Sequence, residues 1–163
     1  MNLDMPAAPL TETQARRLIA DVADTLDAGD IERWPSYFAD PCLYRITTRQ
    51  NEEANMPLSI MLCDSPAMLY DRVEAILHAN IFEPHHYRHV LSDSRYVERG
   101  ADAMQVTTSF MCVRTMVTGG ATTLFAAGRY IDEIVRVDGE CRFRSRTVVL
   151  DASQVDTLLA IPL

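Results

Sequence analysis

Two periodicities divide the chain. Apolar side chains recur at Ala15, Leu18, Ile19, Val22, Ala23 and Leu26, the spacing of one helix face. Thr11 stands before that run and Gln14 three positions later, the pair that caps a helix start reciprocally. Gly29 ends the helix. A second helical run, with Leu69, Val73, Ile76 and Leu77 as its buried face, starts behind Ser65 as N-cap and Pro66 at the first position, and extends to Asn80. Between the two, Asp30 caps a short helix over 31–38 with Trp34 and Phe38 on one side. Asp40-Pro41 signals a turn. Residues 42–49 read as a strand, 49–57 as a polar loop and 58–64 as a short strand.

After Pro84 the period changes to two. Residues 86–97, 103–117, 122–137 and 141–150 are strand candidates, with hairpin turns at Thr118-Gly119-Gly120 and over 137–140. Met104, Val106, Phe110, Cys112 and Met116 share one parity, so one face of that strand can be buried. Helices followed by a long antiparallel meander predict an α+β fold with helices on one face of a sheet. Long strands joined by tight turns curl. The expectation is a strongly curved antiparallel or mixed sheet, a cone closed by the N-terminal helices. Residues 1–10, interrupted by Pro6 and Pro9, are expected to form a flexible arm, and 11–163 a single domain.

Composition narrows the partners. With 163 residues, 48% of them hydrophobic, the chain suits one packed domain. A net charge of −8 argues against nucleic acid or an anionic membrane. No apolar run approaches the roughly 18 residues of a membrane span, and the N-terminus lacks the pattern of a signal peptide. Cytoplasmic location is expected. Cys42, Cys63, Cys112 and Cys141 are widely spread without a CxxC pair, and read as free thiols.

The candidate chemistry centres on histidine. His85, His86 and His89 fall within eight residues, with His78 just upstream. On a strand, His85 and His86 point to opposite faces, and His85 and His89 lie about 13 Å apart at roughly 3.3 Å per residue. Metal ligands must converge within about 2.0–2.1 Å of the ion, so these histidines do not form a metal site. HExxH, a P-loop, G-x-G-x-x-G and G-x-S-x-G are all missing. A cone cavity could still host acid–base chemistry, with Asp40, Tyr44, Tyr87 and His89 as the candidate set.

Residues 26–46, "LDAGDIERWPSYFADPCLYRI", resemble the opening of the small (beta) subunit of Rieske-type aromatic-ring-hydroxylating oxygenases: a helix end, a short Trp-containing helix, and an acidic turn into a strand with Tyr. Trp34, Phe38, Asp40 and Tyr44 fall in those places. "LYDRVEAI" (69–76) is similar to the family's second helix, with Arg72 at its arginine. Arg88-His89 in "FEPHHYRHVLSDSRYV" (82–97) matches the Arg-His pair that opens a strand, and 128–151 resembles the C-terminal hairpin. Two departures stand out: no tryptophan lies near Cys141, and Pro41 replaces a frequent acidic residue.

The resemblance, which covers about 11–151, implies a fold like nuclear transport factor 2 (also described as cystatin-like). It implies no catalytic, cofactor or metal residues in this chain. A large (alpha) subunit would hold a Rieske [2Fe–2S] cluster and a mononuclear Fe(II). The small subunit would form a trimer supporting three large ones (alpha3beta3), with electrons arriving from NADH through a reductase, sometimes with a ferredoxin. An aromatic acid of the benzoate, anthranilate or salicylate kind would be the substrate. Interface contacts are expected at Arg88 and His89, and at Trp34. Two other readings stay open: a free-standing isomerase, dehydratase or cyclase using the cavity Asp/His/Tyr set, and a binding module with an apolar cone.

Overall fold

A computed structural model describes residues 9–153 and 159–163. Helix α1, Glu12–Asp27, begins on the expected cap. The Gln14 N–H donates to the Thr11 hydroxyl at 3.3 Å, and the Thr11 N–H to Gln14 Oε1 at 3.0 Å. Its predicted apolar stripe is buried from Ala15 to Leu26. Gly29 takes the left-handed conformation (φ 75°) that releases the chain from the helix. A 3-10 helix, Ile31–Tyr37, follows and buries Trp34 completely. Most of the arm expected over 1–10 lies outside the described residues. Leu10, however, is buried, and its N–H donates to the Ala101 carbonyl at 2.8 Å.

Strand β1, Phe38–Thr48, includes the Asp40-Pro41 step that reads as a turn. Proline has no N–H for a ladder, so the pairing shifts register between Phe38 and Leu43 instead of ending there. The polar run after it is not all loop either. Arg49–Glu53 form helix α2, because the Thr48 hydroxyl accepts the Asn51 N–H at 3.2 Å. This short helix buries nothing, so no apolar period marks it in the sequence. Strand β2 is Met61–Cys63, and helix α3, Pro66–His78, starts on Ser65. Leu69, Val73 and Ile76 are buried as expected, but Leu77 is 44% exposed. It sits about 100° round the helix from Ile76, past the edge of the buried stripe.

The meander follows as β3 (His85–Glu98), β4 (Ala103–Met116), β5 (Thr122–Val137) and β6 (Glu140–Leu150). The six strands lie in the order β2-β1-β6-β5-β4-β3. Every neighbouring pair is antiparallel except β1 with β6. The result is the curved mixed sheet with helices that the sequence predicts. Its inner face carries Phe110, Tyr130, Phe143 and Tyr44, on which Trp34 packs edge-on with centroids 4.9 Å apart. Each such side chain contributes about 1.5–3 kcal/mol by leaving water.

Candidate functional site

Among the described residues, the inner face of the sheet holds a buried ion pair. Asp132 of β5 and Arg146 of β6 are register partners. Arg146 Nε donates to Asp132 Oδ1 at 2.9 Å and Nη2 to Oδ2 at 2.8 Å, the two-pronged geometry of a charged pair. Both side chains are essentially without solvent contact. The Arg146 guanidinium lies 4.2 Å from the ring centroids of both Tyr130 and Phe143. Burial pushes the Asp132 carboxyl above its ordinary value, and Arg146 pulls it part of the way back. Nearby, the Tyr44 hydroxyl accepts the Leu163 N–H at 3.0 Å and lies 3.2 Å from the Leu163 backbone oxygen. Burial raises the Tyr44 phenol, which stays neutral.

A second polar centre ties α1 to β3. Asp27, the last residue of α1, has a side chain 5% exposed. Its oxygens accept the His89 backbone N–H at 2.9 and 3.1 Å, and Oδ1 lies 2.6 Å from His89 Nδ1. Arg88 Nη1 is 3.6 Å from Oδ2. A carboxylate at a helix C-terminus faces the negative end of the helix dipole. The His89 N–H groups and the Arg88 cation offset that unfavourable placement.

Beside Asp27 lies a cavity of about 280 Å3 between the ends of α1 and α3, the start of β3 and Ile161. Leu26, Ile31, Ile76, Phe82 and Ile161 give it an apolar wall, joined by Asp27, His85 and Tyr87. The exposed Leu77 and His86 stand at its rim. His85 Nδ1 is 2.8 Å from the Glu83 carbonyl, and its ring is 4.8 Å from that of Tyr87. His86 is on the opposite face, as strand alternation predicts.

Of the acid–base set read from the sequence, only Tyr87 and His89 are brought together, their rings edge-on with centroids 6.1 Å apart. Asp40 is exposed, Tyr44 is bound to Leu163, Tyr87 lines the cavity, and His89 is held by Asp27. His78 sits apart on the surface, 3.1 Å from Glu74. Of the three interface candidates, Trp34 is wholly inside the core and the His89 side chain is 0% exposed. Only Arg88, 72% exposed, offers its side chain to a neighbour. Among the described residues no three His, Cys, Asp or Glu side chains converge to hold a metal ion. The four cysteines are free thiols. Asp27, Asp132 and Arg146 escaped the sequence reading. Asp132 left a signal, because it shares the inward parity of Tyr130 and Ile134.

Known proteins give this arrangement a setting. A family model described as ring hydroxylating beta subunit matches residues 22–157. The chain is 38% identical over 154 residues to the terminal oxygenase component subunit beta 1 of terephthalate 1,2-dioxygenase from Comamonas sp, covering 94% of this chain and 99% of that one. It is 36% identical to the small subunit of anthranilate 1,2-dioxygenase from Burkholderia cepacia, with 85% of each chain covered. A crystal structure described as the beta subunit of an aromatic-ring-hydroxylating dioxygenase from Novosphingobium aromaticivorans superposes with a TM-score of 0.85 at 32% identity. It covers 93% of this chain and 96% of that one.

Proposed function

The chain belongs to the ring hydroxylating beta subunit family, and from that membership we propose that it is the non-catalytic, supporting subunit of an aromatic-acid oxygenase. The large alpha subunit would carry the Rieske [2Fe–2S] cluster and the mononuclear iron, and NADH would supply electrons through a reductase, with or without a ferredoxin. The substrate would be a benzoate-type acid, of the class named in the terephthalate and anthranilate relatives. Residues 11–163 act as one domain that forms a trimer, in an alpha3beta3 complex in the cytoplasm.

The observation that carries this reading is the 38% identity running through 94% of the chain and 99% of the terephthalate relative. The interior supports it. Arg146, Asp132 and Tyr44 are committed to one another or to the backbone, where a free-standing enzyme of this shape would need reactive groups facing a substrate. Arg88 is the side chain of choice for a subunit contact: it is exposed, it stands on β3, and its guanidinium lies 3.6 Å from Asp27.

Co-expression with a large chain bearing Cys-x-His and Cys-x-x-His tests the proposal. The two should co-purify in equal numbers, and native mass spectrometry should count three of each. A chain that elutes without the large one at micromolar concentration would overturn it.

A further inference from the structure

Residues 159–163 lie in the core without belonging to its framework. Leu159, Ala160 and Leu163 are buried, Leu163 to 1% exposure. Yet the segment is neither helix nor strand, and among the described residues no backbone–backbone hydrogen bond joins it to the sheet or the helices. Buried main chain is ordinarily paired with main chain. Here the hydrogen bonds to described residues converge on one phenol. The Tyr44 hydroxyl accepts the Leu163 N–H at 3.0 Å and donates to the Leu163 backbone oxygen at 3.2 Å, and a hydroxyl can do both.

Tyr44 is held in place by other means. Its strand, β1, pairs with β2 and β6 at this residue. Trp34 and Phe38 pack edge-on to its ring, with centroids 4.9 and 5.9 Å away. The phenol therefore stands ready whether or not Leu163 is on it. Ile161, in the middle of the segment, lines the cavity of about 280 Å3 whose rim carries the exposed Leu77 and His86. Apolar side chains seated on an apolar wall, with the main chain read by one preset polar group, is how a pocket holds a ligand.

We propose that the inner face of the sheet carries a binding site for a short apolar peptide, with Tyr44 as its polar anchor, and that residues 159–163 occupy it as a ligand carried in cis. The inference does not depend on the supporting role.

Leu163→Asp in the full chain tests it. A carboxylate does not stay in an apolar site, so the segment should leave while circular dichroism still shows the sheet. The synthetic peptide Leu-Ala-Ile-Pro-Leu should then bind this variant saturably by calorimetry. It should not bind the unaltered chain at the same concentrations, and a peptide ending in Asp should not bind either. Adding Tyr44→Phe should weaken the peptide about tenfold. A folded Leu163→Asp that takes no peptide would overturn the proposal. So would equal binding of the peptide ending in Asp, or an affinity within about twofold after Tyr44→Phe. Should Leu163→Asp fail to fold, native-state hydrogen exchange of the unaltered chain decides. The Leu163 N–H should exchange at least about 100-fold faster than the amides of the β5–β6 ladder. Exchange in step with that ladder would make the segment part of the framework and overturn the proposal.

Discussion

Removing the guanidinium of Arg146 should cost the fold far more than removing the whole ion pair. Arg146→Met leaves the Asp132 carboxylate, whose side chain is 0% exposed, without a cation or its two hydrogen bonds. Breaking one side of a buried pair costs about 3–5 kcal/mol. In a chain of 163 residues each kcal/mol moves the melting temperature by about 2–4 °C, so the midpoint should fall by roughly 6–20 °C. Asp132→Leu combined with Arg146→Met removes both charges and keeps the volume apolar. The double variant should return to within about 2 kcal/mol of the wild type, in either direction. Urea titrations at one fixed protein concentration measure this, with the slope checked for constancy so that midpoints report stability. The coupling energy should exceed about 2 kcal/mol. A double variant as unstable as Arg146→Met, or a loss below about 1 kcal/mol in Arg146→Met, would refute the reasoning.

Three further outcomes are expected. Gly128→Ala should cost about 3 kcal/mol or prevent folding, as seen by circular dichroism, because its Cβ would stand 2.0 Å from the Val149 carbonyl oxygen, which is backbone and held in the sheet. Burial pushes the Cys112 thiol up to about 12 and the Cys42 thiol up to about 11, and raises Cys63 as well. The thiolate is the reactive form and is scarce below those values; burial raises Cys141 too, but it is half-buried where the other three are buried, so maleimide at pH 8 should label only Cys141, slowly, and all four thiols after unfolding, counted by mass. Arg88→Ala should weaken subunit assembly by about tenfold while leaving iron loading of the large subunit intact, and unchanged assembly would move the contact elsewhere.

The sequence discloses elements whose signals are local. Thr11 with Gln14, Ser65 with Pro66, and the alternating positions of β4 announce themselves within a few residues, and the structure places them as expected. The strand reading also splits His85 from His86 correctly. Contacts that depend on distant partners stay hidden. Asp27 and His89 are far apart in the chain, and Asp27 reads as one more acidic residue near a helix end until α1 packs on β3. Pro41 reads as a turn because its local preference is strong, but the ladder to β6 absorbs it as a register shift. Trp34 is aligned with an interface by resemblance, whereas its ring lies edge-on to Phe38 and Tyr44 inside the core.

The supporting role is tested most directly by reconstitution with the purified components. Alone, the full chain should be colourless and should not oxidise any benzoate-type acid in the presence of NADH and a reductase. With the large subunit it should enter a red-brown complex that does. Turnover of an aromatic acid, or of any small substrate, by this chain in the absence of the large subunit would contradict it.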